Sequence, residues 1–164
     1  MLDILKPDQQ GITLIITVGN TLRQDDGVAP LIAEQLLSTK SEILNNLKIL
    51  NVNDKPENAI DEAVKIKPAK TVIIDAADFG GRVGETRIIP HDQIPETTLS
   101  THTFPLAIIA KMIEQDTGSP VYFLGIQPGK MGWGEGLSPE VEKTADQIIK
   151  SLRKKSKPNL DKNS

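Results

Sequence analysis

TLIITVGNTLRQDDG, residues 13–27, runs from an unbroken apolar and β-branched stretch straight into a glycine-bounded acidic loop, and that junction decides the fold. A short run without polar alternation reads as a strand covered on both faces of a sheet. Two further stretches share its character, TVIID at 71–75 and VYFLGI at 121–126. LKILNVN at 47–53 and ETRIIP at 85–90 read as strands closer to the sheet edge, the second bracketed by Gly84 and Pro90.

Helical spacing fills the intervals. Val28, Leu31, Ile32 and Leu36 share one face, as do Ile60, Ala63 and Val64, and then Leu106, Ile109, Ala110 and Ile113. A last helix is expected to start with Ser138 as N-cap and Pro139 in its first turn, burying Val141, Ala145, Ile148 and Leu152. The order βαβαββαβα predicts an α/β fold, an open twisted, mostly parallel five-stranded sheet with helices on both faces.

With 164 residues, 38% of them apolar, the chain suits one compact domain with its own core, expected over residues 1–152. A formal charge of −3 offers no global field for nucleic acid or an anionic membrane. The segment RKKSKPNLDKNS at 153–164 carries five positive and one negative side chain, which leaves the rest at about −7 and predicts a solvated, disordered tail. The absence of cysteine excludes disulfides, thiolate metal sites and a cysteine nucleophile, so any metal must be held by oxygen and imidazole. MLDILKPDQQG at 1–11 has no basic segment followed by a long apolar run, and no stretch approaches the length of a spanning helix. The expectation is a cytoplasmic, unanchored protein, monomeric by default.

In open α/β sheets ligands bind beyond the carboxyl ends of the strands, where strand order reverses, often between the first and third strands. The loop GNTLRQDDG at 19–27 and the strand ending DAAD at 75–78 put acids on both lips of that crevice, so Asp25 or Asp26 can face Asp75 or Asp78. Asp25 and Asp26 also stand where a helix begins, where carboxylates cap free amides. Asp75 ends a buried run, where a carboxylate is costly unless paired or bound to a cation. His102 lies in a loop before a helix, a place where histidines are more often solvated than functional. Two carboxylates and one imidazole from three loops nonetheless suit a borderline divalent ion such as nickel or zinc.

Other machinery is missing: no G-x-S-x-G elbow, no Walker A loop, no H-E-x-x-H, and only G-x-G-x-G at Gly132, Gly134 and Gly136. His91 reads as a surface loop residue. Trp133, the sole tryptophan, stands among these glycines; packing is the plainer reading, covering the site or meeting a partner the other.

VGNTLRQDDGVAP (18–30), IIDAAD (73–78), STHTFPL (100–106) and FLGIQP (123–128) together resemble the nickel-iron hydrogenase maturation endopeptidases, the first segment matching their GN-x-L-x-x-DDG-x-G-P opening. The likeness runs in register over roughly residues 12–152, and PEN at 56–58 is similar to the branch serving formate-hydrogenlyase and related energy-converting hydrogenases. The resemblance implies that Asp26, Asp75 and His102 contact the metal, with Asp26 and Asp75 also the catalytic candidates. It implies a peptidase that cuts a C-terminal extension from the hydrogenase large-subunit precursor, only after nickel has been inserted. Nickel is then brought by the substrate, and zinc or another divalent ion can take its place in the isolated protein. Two alternatives stay open: an Asp26–Asp75 dyad sharing a proton without metal, and a non-catalytic nickel-sensing module or chaperone for the precursor. Two departures stand out, Ala29 where the family usually has glycine and NVND at 51–54 in place of a glycine-rich segment, both expected to alter the cleft rim.

Overall fold

The computed structural model describes residues 2–7, 9–38, 42–90, 93–94 and 105–155. In chain order the elements are β1 (Thr13–Val18), α1 (Val28–Ser38), β2 (Leu47–Asn53), α2 (Ala59–Ile66), β3 (Lys70–Ala76), β4 (Thr86–Ile89), α3 (Leu106–Thr117), β5 (Val121–Ile126) and α4 (Pro139–Leu152). Short 3-10 turns lie at Leu2–Leu5, Gln24–Gly27 and Pro56–Asn58. This is the expected βαβαββαβα order.

The strands form one five-stranded sheet ordered β2-β1-β3-β5-β4. β2, β1, β3 and β5 pair in parallel, and β4 returns antiparallel along β5. The two runs expected near an edge do occupy the edges, and the three unbroken apolar runs fill the middle. Their alternate residues supply two separate cores. Ile15, Val72, Ile74, Leu124 and Ile126 meet α1 and α4 on one face, while Leu14, Ile16, Val18, Ile73 and Phe123 meet α2 and α3 on the other. Each buried aliphatic side chain contributes about 1.5–3 kcal/mol, and a strand used on both faces reads as a nearly continuous apolar run, interrupted here only by buried Thr13, Thr17, Thr71 and Asp75 among the fully buried positions of β1 and β3.

One helical face differs from its expected composition. α2 buries Ala59 and Ala63, whereas Val64 is exposed and Ile60 only partly covered. Two alanines four residues apart let the short helix lie close against α3, and that contact turns Val64 outward.

The chain leaves β1 for β2 on one side and returns to β3 on the other, so strand order reverses between β1 and β3. That is the crevice position of open α/β sheets. NVND shapes its outer rim. Thr17 pairs with Asn51 but Val18 with Asn53, a bulge that skips Val52. Asn53 takes φ +50, its carbonyl accepts the Gly19 amide at 2.8 Å, and Asn51 Oδ1 accepts the Thr17 hydroxyl at 3.1 Å. Asparagine tolerates left-handed backbone better than other side chains do, so it performs the turn that a glycine would otherwise make. Ala29, the other departure, is fully buried in the first turn of α1.

Among the described residues no helix is long and apolar enough to cross a membrane. The segment expected to be a tail is described only as far as Lys155; Arg153 bridges Ile43, and Lys154 Nζ lies 2.9 Å from Glu42 Oε2.

Candidate active site

The loop leaving β1 folds back on itself because two positions carry no side chain. A Cβ on Gly19 would collide with the Asp26 carbonyl, and one on Gly27 would come within 2.5 Å of Thr21 Cα. Between these glycines Asn20 matters locally: its side-chain Oδ1 accepts the Leu22 amide at 2.9 Å, and its backbone N–H donates to Asp26 Oδ2 at 3.1 Å. Asp26 is thereby held inside the loop, 2% exposed.

Its neighbour does something different. Asp25 is fully buried and its carboxylate turns toward the segment after β5. Oδ2 accepts the amides of Gly129 and Lys130, both at 2.8 Å, and the Ser138 hydroxyl at 2.7 Å, while Oδ1 accepts the Ser138 amide at 2.7 Å. Burial alone would raise the Asp25 pKa, but the Ser138 hydroxyl and the amides of Lys130, Ser138 and Gly129 outweigh it and hold the carboxyl below its ordinary value. Around this centre the two segments zip together. The Gln24 amide donates to Gly134, Asp25 to Lys130 and Gly134 to Leu22, at 3.0, 2.9 and 2.8 Å. Arg23 Nη2 donates to the Met131 carbonyl at 3.1 Å.

The capping expectation is therefore redirected for both partners. Asp25 does not cap its own helix, and Ser138, at the N-cap of α4 as expected, makes no side-chain cap bond. Its hydroxyl is spent on Asp25 instead, since an ionised acceptor forms a stronger hydrogen bond than a neutral one.

Asp75 sits near the end of β3 opposite Gly125 of β5, completely buried. It alternates with Ile73 and so belongs to the sheet face covered by α2 and α3. The register Thr17↔Ile74 brings Val18 level with Asp75, and the turn carrying Asp26 packs against β3. Asp26 and Asp75 thus occupy the two lips of the β1/β3 crevice. Buried carboxylates in such a place can serve as oxygen ligands for a divalent cation or share a proton.

Asp78 takes no part in that arrangement. It is exposed, its Oδ1 accepting the Gly80 amide and the Gln127 side-chain amide, both at 3.0 Å. The Gln127 bond, with that of Gly80, lowers its pKa. Gln127 Oε1 also accepts the amides of Phe79 and Gly81, at 3.0 and 3.1 Å, which fixes the loop after β3 to the end of β5. Sequence reasoning quoted Gln127 only as part of a motif. Its signal resembled that of Asp75, a polar residue closing a buried apolar run: Asp75 within the end of β3, Gln127 directly after β5.

His102 and His91 lie outside the described residues. α3, which begins four residues after His102, covers the sheet face to which Asp75 belongs. Trp133 does not pack: it is 79% exposed, with the Arg23 guanidinium 5.4 Å from its ring centre.

Residues 31–155 match the HycI family, described as hydrogenase maturation protease. The chain belongs to that family. It is 31% identical over 140 residues to the hydrogenase 3 maturation protease of Escherichia coli K12, covering 85% of this chain and 87% of that protein. The crystal structure of the nickel-iron hydrogenase maturation protease HycI from Thermococcus kodakarensis superimposes with TM-score 0.78 at 31% identity, over 92% of this chain and 94% of that one. HybD, the hydrogenase-maturating endopeptidase of E. coli, shares the fold at TM-score 0.69 and 20% identity, over 85% and 88%. The protein is a hydrogenase maturation protease, a peptide-bond hydrolase, and the HycI match agrees with the branch that PEN at 56–58 suggests.

Proposed function

We propose that this protease removes a C-terminal extension from the nickel-loaded large-subunit precursor of a nickel-iron hydrogenase, with Asp26, Asp75 and His102 contacting the nickel that the substrate carries. The observation that supports this reading is the pair of buried carboxylates on opposite lips of the β1/β3 crevice. Asn20 aims the first and the sheet aims the second. With the imidazole of His102 they make the mixed oxygen and nitrogen donor set that a borderline divalent ion accepts, leaving positions open for substrate groups. Docked through its metal, the precursor would present its scissile bond beside carboxylates able to take a proton from an attacking water. In the isolated protein zinc or another divalent ion can stand in for nickel. The working form is a cytoplasmic monomer.

The burial of both acids also favours a second mechanism for the same activity, an Asp26–Asp75 pair sharing one proton. One experiment separates the two. The purified protease is incubated with precursor prepared with and without nickel, and loss of the extension is followed by intact mass. Cutting confined to the nickel-loaded form is expected, with Asp26→Asn, Asp75→Asn and His102→Ala each slowing it about 10²- to 10⁴-fold. Equal cutting of the nickel-free form would overturn metal recognition in favour of the proton-sharing pair.

A further inference from the structure

We propose that Leu22, Arg23 and Trp133 form a platform that docks the body of the large-subunit precursor beside the peptide to be cut, gripping protein surface rather than metal. The inference rests on the precursor being the substrate. Trp133 is 79% exposed and Leu22 56%. The Leu22 carbonyl accepts the amide of Gly134, next to the tryptophan, at 2.8 Å, so the two residues lie on paired segments. Other exposed large apolar side chains among the described residues are scattered and less exposed than Trp133: Leu37, Val64, Ile108 and Met112 on α1, α2 and α3, Ile88 on the edge strand β4 and Val83 in the loop before it. Scattered exposure of that kind needs no explanation, but a tryptophan standing in water is unusual.

The platform is rigid where exposed loops are usually loose. Buried Asp25 ties its two segments together through four hydrogen bonds. Arg23 is fastened to the Met131 carbonyl and stacks beneath the Trp133 ring. Glycines at 132 and 134 leave that ring without flanking side chains. A large aromatic surface carried on a tied backbone, with a guanidinium against its ring, binds at a reduced ordering cost, a property of interface hot spots.

Position selects the occupant. The Arg23 carbonyl accepts the Asp26 amide at 3.2 Å, so the platform and the candidate catalytic acid are parts of one short loop. A second copy of this chain seated on Trp133 would cover the approach to Asp26, whereas a substrate must lie there. The exposed Trp133 and Leu22 side chains fit an apolar hollow that accepts an indole, and the Arg23 guanidinium, bonded to the neutral Met131 carbonyl, keeps its charge for an acceptor at the rim of that hollow.

The test uses the full-length protease and nickel-loaded precursor. Trp133→Ala and Leu22→Ala are expected to raise KM about 10- to 100-fold while kcat stays within about twofold. Because Trp133 is the sole tryptophan, 5-fluorotryptophan labelling gives one fluorine resonance. It is expected to shift on titration with unlabelled nickel-free precursor. Wild-type protease that leaves nickel-loaded precursor intact overturns the substrate assignment underneath the proposal. Normal cutting by the wild type, combined with an unchanged KM in Trp133→Ala or a resonance indifferent to precursor, overturns the platform alone. A resonance that moves only with the protease's own concentration assigns the patch to a second copy and overturns it equally.

Discussion

Two loops at the carboxyl edge of the sheet are anchored to the chain that follows β5, each through an aspartate, and they differ in what the aspartate costs. The loop after β1 uses Asp25, fully buried, with four donors around its two oxygens. The loop after β3 uses Asp78, exposed, with donors from Gly80 and Gln127. A charge removed from water must be compensated in full, so the first anchor is strong and brittle; a charge left in water adds little and loses little. The loop that carries Asp26 and the segment after β5 that carries Trp133 are thereby the rigid pair.

The largest effect expected from this contrast is that of Asp25→Ala. It strands three backbone amides and a hydroxyl in a buried cluster and should cost about 3–5 kcal/mol in urea denaturation. Asp25→Asn, which keeps one acceptor oxygen, should lose roughly half as much. Gly19→Ala comes next, since its methyl group must displace the Asp26 carbonyl; a loss of about 1–3 kcal/mol is expected, with peptidase activity falling further than stability does. Activity that survives Gly19→Ala intact would show that the placement of Asp26 is not critical.

Acid titration sharpens the same comparison. The Asp25 carboxyl is depressed in the folded chain, so its contribution is complete above the unfolded pKa, about 3.9, and is lost as pH falls through the lower folded value. The stability gap between wild type and Asp25→Asn should be constant from neutrality to about pH 5 and narrow below about pH 4. A gap that narrows near neutrality instead would mean that Asp25 is not the depressed group. Gln127→Ala, which frees the amides of Phe79 and Gly81, should cost about 1–2 kcal/mol. Asp78→Ala should leave the melting midpoint where it was.

The central strands were legible because burial on both faces removes the polar alternation that would otherwise obscure them, and the crevice followed from strand order. α2 was less so: its buried face is set by Ala59 and Ala63, and alanine carries little hydrophobic signal. Motif resemblance pointed to Asp26, but nothing local tells Asp25 from Asp26. The choice is made by amides more than a hundred residues away, at Gly129, Lys130 and Ser138. Trp133 was misjudged for a related reason, since a tryptophan among glycines gives no sign that a distant arginine and a buried carboxylate will hold it outward.

That long-range bond has a consequence in time. Ser138 follows Asp25 by 113 residues, and at ribosomal speeds of about 5–20 residues per second Asp25 spends about 6–23 s in the nascent chain before its last partner is made. The loop bearing Asp26 therefore takes its final shape near the close of synthesis, and a nascent protease cannot hold its cleft in working form before most of the polypeptide has emerged.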